Sequence, residues 1–164
     1  DGRPEIDMVP VTELQPEFAV EHAQHETQVG YARVGVPHLV VVVDDLDAVD
    51  VATRGRILRH HPALRTGANA NFVGRNRAGE WSIRTYERGV EEETLACGTG
   101  AVAAAALLGV WGLADDLVAL TTRSGSRLQT RVPTWSVSTT PETGASPVLR
   151  GEGRVVFEGI LGEI

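Results

Sequence analysis

Hydrophobic and polar positions divide the chain into short apolar runs separated by Gly, Pro, Asn and Asp, with one long uncharged segment in the middle. Glu5 to Val11 alternates loosely through Ile6, Met8, Val9 and Val11 and predicts a strand. Phe18 to His25 is only weakly patterned. Gln28 to Val34 predicts a second strand, Gly35-Val36-Pro37-His38 a turn, and the β-branched run Leu39 to Val43 a buried strand. Asp44-Asp45-Leu46-Asp47 predicts a helix opening, because carboxylates suit a helix N-terminus. Val49 to His60, with Val51, Ile57 and Leu58 among arginines, predicts a one-sided surface helix closed by His60 and His61. Arg65 to Val73 predicts a turn feeding a strand, and Asn76 to Gly79 a hairpin turn. Glu80 to Glu87 alternates, placing Trp81, Ile83, Thr85 and Glu87 on one face and Ser82, Arg84, Tyr86 and Arg88 on the other. Glu87 and Arg88 would then diverge, unless a kink at Gly89 turns both into one pocket. Further on, Leu117 to Thr122 and Arg127 to Val132 predict a hairpin around Arg123-Ser124-Gly125-Ser126. Trp135 to Thr139 predicts a strand, Pro141 to Pro147 a loop, and Val148 to Leu161 a strand-like close.

The uncharged segment runs from Thr94 to Ala114. Ala101 to Leu108 predicts helix: Ala and Leu dominate, with no Pro and one β-branched residue, Val102. Its helical part, about 15 residues or roughly 22 Å, is too short for a bilayer core of roughly 30 Å. A helix apolar on every side in a soluble protein is a central, buried one. The predicted fold class is therefore α+β. Short, mostly antiparallel strands wrap as a barrel-like sheet around one buried apolar helix, with one outer helix, in a single domain over residues 1–164.

Composition narrows the chemistry. The net charge of −7 argues against a nucleic-acid partner. A 42% hydrophobic content argues against disorder. A single cysteine excludes an internal disulfide and fits a reducing, cytoplasmic setting. No signal peptide is visible, and the opening Asp1-Gly2-Arg3-Pro4, without methionine, suggests a fragment or processed piece. All 15 basic residues are arginine, so this chain offers no lysine for a pyridoxal-phosphate Schiff base or a Walker-type phosphate loop. His22 and His25 lack the neighbours that would complete a metal site and read as surface residues.

Cys97 stands in the small-residue turn Ala96-Cys97-Gly98-Thr99-Gly100, just before the central helix. The positive end of the helix dipole and unpaired N–H groups there favour a thiolate, and the same N–H groups can hold a carboxylate. The turn thus offers a nucleophile or base beside an anion cradle. The plainer reading of a free cysteine is a small buried hydrophobe.

Tyr86-Glu87-Arg88-Gly89, followed by Glu93-Thr94-Leu95-Ala96-Cys97-Gly98-Thr99-Gly100-Ala101, resembles the second cysteine motif of the diaminopimelate epimerase family. That family's usual form is YERGxGET, then xxCGSGA or xxCGTGA. Here one extra residue lies between Gly89 and Cys97, and Glu91 or Glu92 stands where glycine is usual. Gly35-Val36-Pro37-His38 resembles the family's GNPH segment with Val36 in place of Asn, and Asn69 matches an Asn that reaches the distal end of the substrate. Asn71, two residues on, would share Asn69's strand face. The resemblance runs from about Val34 to Ile160 and covers the family's C-terminal half.

The resemblance implies a cofactor-independent epimerase. Two cysteines, one from each of two pseudo-symmetric halves, would act on opposite faces of the α-carbon of diaminopimelate, in lysine and peptidoglycan biosynthesis. It implies Cys97, Glu87 and His38 as catalytic residues, and Asn69, Arg88, Gly98 and Thr99 as substrate-binding ones. It implies no metal, a missing N-terminal half as partner, and a homodimer of the full-length protein. With one cysteine this chain is expected to be inactive alone. Two other readings stay open. One is a cysteine hydrolase using Cys97 and His38; the other is a ligand-binding or assembly domain without catalysis. The proline racemase reading fits less well, because that cysteine is usually preceded by an Asp-Arg-Ser-Pro type run.

Overall fold

The computed structural model describes residues 3–132, 146–153, 158, 159 and 162. Its strands are β1 (Glu5–Asp7), β2 (Val11–Gln15), β3 (Glu26–Val34), β4 (Val36–Val43), β5 (Asn69–Arg75), β6 (Trp81–Glu87), β7 (Glu92–Thr94), β8 (Leu117–Thr121), β9 (Arg127–Arg131) and β10 (Val148–Arg150). Two helices accompany them, α1 (Val51–Arg59) and α2 (Gly98–Val110). The strands form one mixed sheet in the order β1-β10-β9-β8-β6-β5-β4-β3-β2, with β7 beside β6. Pairing is antiparallel except between β4 and β5 and between β6 and β8. The strand predicted over Trp135 to Thr139 lies outside the described residues, as do most of the Pro141 to Pro147 loop and most of the predicted close beyond Gly153.

α2 is the axis of the fold. Ala101 to Leu108 are all buried, against sheet residues that include Val34, Val40, Val73, Ile83, Val118 and Leu120. Small side chains let the sheet come close: a Cβ on Gly30 of β3 would stand 2.8 Å from both Leu107 and Trp111 of this region. The helix touches β2, β3, β4, β5, β8 and β9, strands from both arms of the sheet. The sheet therefore curls around it, and the other face of its central strands packs on α1 through Leu39, Val41, Phe72, Tyr86, Val51 and Leu58. Burial on both faces explains why β4 reads as a continuous apolar run rather than an alternating one.

Four expectations need correction. The predicted strand from Glu5 to Val11 is two strands, split by Met8-Val9-Pro10, that join opposite ends of the sheet. Three intervening residues span at most about 14 Å, so the two sheet edges come near each other. They do not pair, however, so the sheet is a curled but open one rather than a closed barrel. Next, Pro37 and His38 are not in a turn. The reversal is compressed into Gly35, whose φ of +68° suits glycine, and β4 begins at Val36. Finally, the acidic run at 44–47 forms turns, with Asp45 accepting from the N–H groups of Asp47 and Ala48, and the helix starts later. Asp50 caps it by accepting from Thr53 N–H, and His60 closes it as expected. On that helix Ile57 is exposed, and Gly55 takes the buried position instead.

Gly55 is required by close approach: a Cβ there would overlap Tyr86 and lie 2.7 Å from its Cγ. Gly55→Ala is expected to destabilise the fold by about 1–3 kcal/mol. This outweighs the roughly 1 kcal/mol that alanine offers over glycine in a helix interior. A urea-unfolding midpoint at or above wild type would show that Tyr86 can yield.

Candidate active site

Strand parity assembles the site. His38 shares the α2-facing side of β4 with Val40 and Val42, and Asn69 and Asn71 share that side of β5 with Val73. Thr85 and Glu87 share it on β6 with Ile83. β4 and β5 run parallel with His38 level with Asn69, and β6 places Thr85 level with Asn71. One end of the curled sheet thus presents His38, Asn69, Asn71, Thr85 and Glu87 on the side where α2 begins. Cys97 is the N-cap of α2, with extended backbone (φ −135°, ψ 109°). Gly98, Thr99 and Gly100 form the first turn, whose amides have no intrahelical acceptor. Thr99 Oγ1 lies 3.6 Å from Cys97 Sγ.

The segment between β6 and Cys97 is strapped down. β7 pairs back on β6 with Glu87 level with Glu92. Arg84 donates to both carboxylate oxygens of Glu93 at 2.8 Å, and to the carbonyls of Leu46 and Val49 at 3.0 Å. Ser124 N–H donates to Leu95 O, tying the cysteine turn to the β8–β9 hairpin. The four-residue turn between the strands absorbs the extra residue of the motif. Gly89 (φ +94°) and Glu91 (φ +62°) are both left-handed. Glu91 therefore stands at a position that favours glycine. Its carboxylate accepts from Gly89 N–H and from Arg59 at 3.0 Å, which holds the turn in shape.

Asn69 joins three strand ends: its Nδ2 donates to Pro37 O at 3.2 Å and its Oδ1 accepts Arg88 N–H at 2.8 Å. Each atom keeps capacity for a second partner. Arg88 lies past the end of β6, with Nη1 donating to Thr66 O at 3.4 Å, and its charge reaches His38. The structure therefore gathers Cys97, Gly98, Thr99 and Glu87 on one side of the cysteine turn, and His38, Asn69 and Arg88 around the β4–β5 end. It adds two residues that the sequence reading left without a role, Asn71 and Thr85. Asn71 donates to Leu39 O at 2.9 Å, meets His38 Nδ1 at 3.2 Å and accepts from Thr85 Oγ1 at 3.0 Å. The two-residue spacing from Asn69 was the available signal for Asn71. Thr85 carried none, because only the β5–β6 register brings it there.

Electrostatics corrects one expectation. The helix N-terminus was expected to favour thiolate at Cys97. Burial instead pushes the thiol above its ordinary range, and the charge of Glu87 adds to the rise. The Thr99 hydroxyl and the N–H groups of Gly100 and Thr99 pull the other way without winning. His38 is wholly buried, and burial, with a contribution from the Arg88 guanidinium, pushes its pKa down to about 3. It is a neutral imidazole at physiological pH. A cysteine–histidine nucleophile pair is not formed. His38 Nδ1 is engaged by Asn71, and Nε2 has no hydrogen-bond partner among the described residues. Among the described residues no group of three metal-ligating side chains comes together, and no helix is long and apolar enough to cross a membrane.

A curled sheet around an apolar helix is a fold that this chain shares with solved proline racemase-like proteins. The chain superposes on a hydroxyproline epimerase from Agrobacterium vitis with a TM-score of 0.63 at 19% identity, covering 90% of this chain and 49% of that one. A probable proline racemase from Agrobacterium radiobacter K84 gives 0.61 at 18% identity, covering 94% and 53%. Sequence narrows the class. The profile of the family described as diaminopimelate epimerase matches residues 30–140. A diaminopimelate epimerase of Gemmatimonas aurantiaca is 47% identical over 163 residues, 97% of this chain and 59% of that protein. One from Hydrogenobaculum is 41% identical, over 80% of this chain and 45% of that protein, and one from Archaeoglobus fulgidus 36%, over 88% and 47%. The chain belongs to the diaminopimelate epimerase family, and it spans about half the length of the curated relatives it matches.

Two outcomes follow from the electrostatics. The unfolded chain protonates His38 near the ordinary value of 6.5, and the folded chain only near 3. Stability is therefore complete above pH 6.5 and is lost as pH falls toward 3. Between pH 7 and pH 5 the loss should be about 2 kcal/mol in urea unfolding. His38→Gln should remove that slope; an unchanged slope would place its origin elsewhere. Separately, Glu87→Gln removes a negative charge near Sγ and should move the pH midpoint of Cys97 alkylation down by up to about one unit. An upward move or none would remove Glu87 from the thiol's surroundings.

Proposed function

We propose that this chain is the C-terminal half of a diaminopimelate epimerase and contributes one of the two cysteines that act on the substrate's α-carbon. The observation that carries the reading is Cys97 at the N-cap of a buried helix, with Glu87 on the facing strand and first-turn amides that lack intrahelical acceptors beside it. Inversion needs a base on one face of the α-carbon and an acid on the other. The raised thiol suits the acid role. A base from the missing half takes the α-proton, the C–H electron pair stays on carbon, and Cys97 S–H delivers its proton to the opposite face, leaving a thiolate. In the reverse direction that thiolate takes the proton. The substrate α-carboxylate rests on the amides of Gly98 and Thr99, where positive partial charge offsets the charge building on the α-carbon. Glu87 adds to the burial that keeps Cys97 protonated. His38, Asn69 and Arg88 face the distal amino-acid group, with Arg88 for its carboxylate. No cofactor takes part.

The relatives' greater length supports a missing half, and so do Val90 and Leu95, apolar residues 56% and 67% exposed beside the cysteine turn. A homodimer of the full-length protein fits the same scheme. The test is α-proton exchange, followed by NMR in heavy water with LL-diaminopimelate. The chain alone should show none; with the N-terminal half supplied, exchange should appear and should vanish in Cys97→Ala. Racemisation by the isolated chain, or exchange that survives Cys97→Ala, would refute the two-cysteine assignment.

A further inference from the structure

Asn71 meets three partners within the site, Leu39 O, His38 Nδ1 and the Thr85 hydroxyl. It is fully buried, and its amide orientation is fixed by chemistry. Leu39 O can only accept, so the atom 2.9 Å away is Nδ2; the other end, Oδ1, takes the Thr85 hydroxyl proton at 3.0 Å. Nδ2 is then also the atom 3.2 Å from His38 Nδ1, which must accept. A neutral imidazole accepting at Nδ1 carries its hydrogen on Nε2. Nε2 is buried and has no partner among the described residues. A buried N–H without an acceptor is costly, and such groups persist where a ligand completes them. Asn71 also meets the other half of the site. A Cβ on Gly100 would overlap Asn71 Oδ1 and lie 3.2 Å from Cys97 Sγ, so the first turn of α2 rests directly against this amide.

We propose that Asn71, oriented by the Leu39 carbonyl and the Thr85 hydroxyl, is a positioning residue that locks His38 in its Nε2–H form, presenting a buried donor to the substrate, and sets the seat of the Cys97 turn. The catalytic part of this inference rests on the epimerase reading; the tautomer does not. In this arrangement His38 acts as a hydrogen-bond donor to a carboxylate or carbonyl oxygen rather than as a base. Gly100 is glycine because the amide occupies the space of a side chain.

Nitrogen-15 correlation spectra of the imidazoles in the isolated chain test the lock. His38 should show a pyridine-like Nδ1 and a pyrrole-like Nε2. Asn71→Asp replaces the donor with an acceptor and should invert the pattern. Asn71→Leu, which removes the donor to Nδ1, should give a mixture; it keeps the test open if Asn71→Asp does not fold. An Nδ1–H signal in wild type, or an unchanged tautomer in Asn71→Leu, would overturn the lock. With the N-terminal half supplied, Asn71→Leu should lower kcat for α-proton exchange by about tenfold to a hundredfold with little change in KM. An unchanged kcat would overturn the positioning role. Absence of exchange in wild type would instead count against the epimerase reading, leaving the tautomer result intact.

Discussion

The rest of the structure depends on the burial of α2. An alanine-rich helix with no charged residue has no face to give to water, so the sheet must enclose it. That requirement sets the curl of the sheet, the close approach of β3 at Gly30, and the placing of β1 and β2 on opposite edges although only three residues separate them. It also fixes where chemistry can occur. A helix buried along its length is accessible only at its ends, and its N-terminus is the end with unpaired amides. Cys97 stands there, at the rim of the sheet, and the residues on the inward face of β4, β5 and β6 converge on the same place.

The site is therefore mostly framework with a few uncommitted groups. Arg84 with Glu93, Arg59 with Glu91, and Asn69 with Pro37 and Arg88 hold the cysteine turn and strand ends in register. Among the described residues, Nε2 of His38 is buried without a protein partner, while the Cys97 thiol has only the Thr99 hydroxyl at 3.6 Å and the first-turn amides beside it. Burial governs their protonation. It keeps the imidazole neutral and the thiol protonated, against the pull of the helix terminus, because removing a charge from water outweighs a partial charge delivered by a few N–H groups.

The curated relatives of this family are about twice the length of this chain. Membership rests on the profile match over residues 30–140 and on relatives 36–47% identical. The departures from the family pattern have local accounts in two places. Glu91 takes a left-handed position and anchors its own turn, and the extra residue is accommodated in that turn before β7. Nothing in the structure explains Val36 where asparagine is usual.

Much was determined by the sequence alone. The Ala-Leu run without charge required a buried helix, and the small residues before it placed Cys97 at its N-terminus, because both follow from local propensity and from the cost of burying charge. The patterns at 28–34 and 39–43 required strands, the turn signals from Arg65 led into another ending at Val73, and the cysteine motif pointed to the family. What only the tertiary structure decided is non-local. No period in Glu5 to Val11 says that its two ends belong to opposite edges of a sheet. A one-residue reversal at Gly35 cannot be told from a longer turn until β3 and β4 are paired, so His38 read as a turn residue rather than a buried strand residue. Asn71 and Thr85 became part of the site through the register of β4, β5 and β6, which depends on which strands lie side by side. The protonation of Cys97 turned on how much of the chain covers it, a property of packing that the residues flanking it in sequence do not carry.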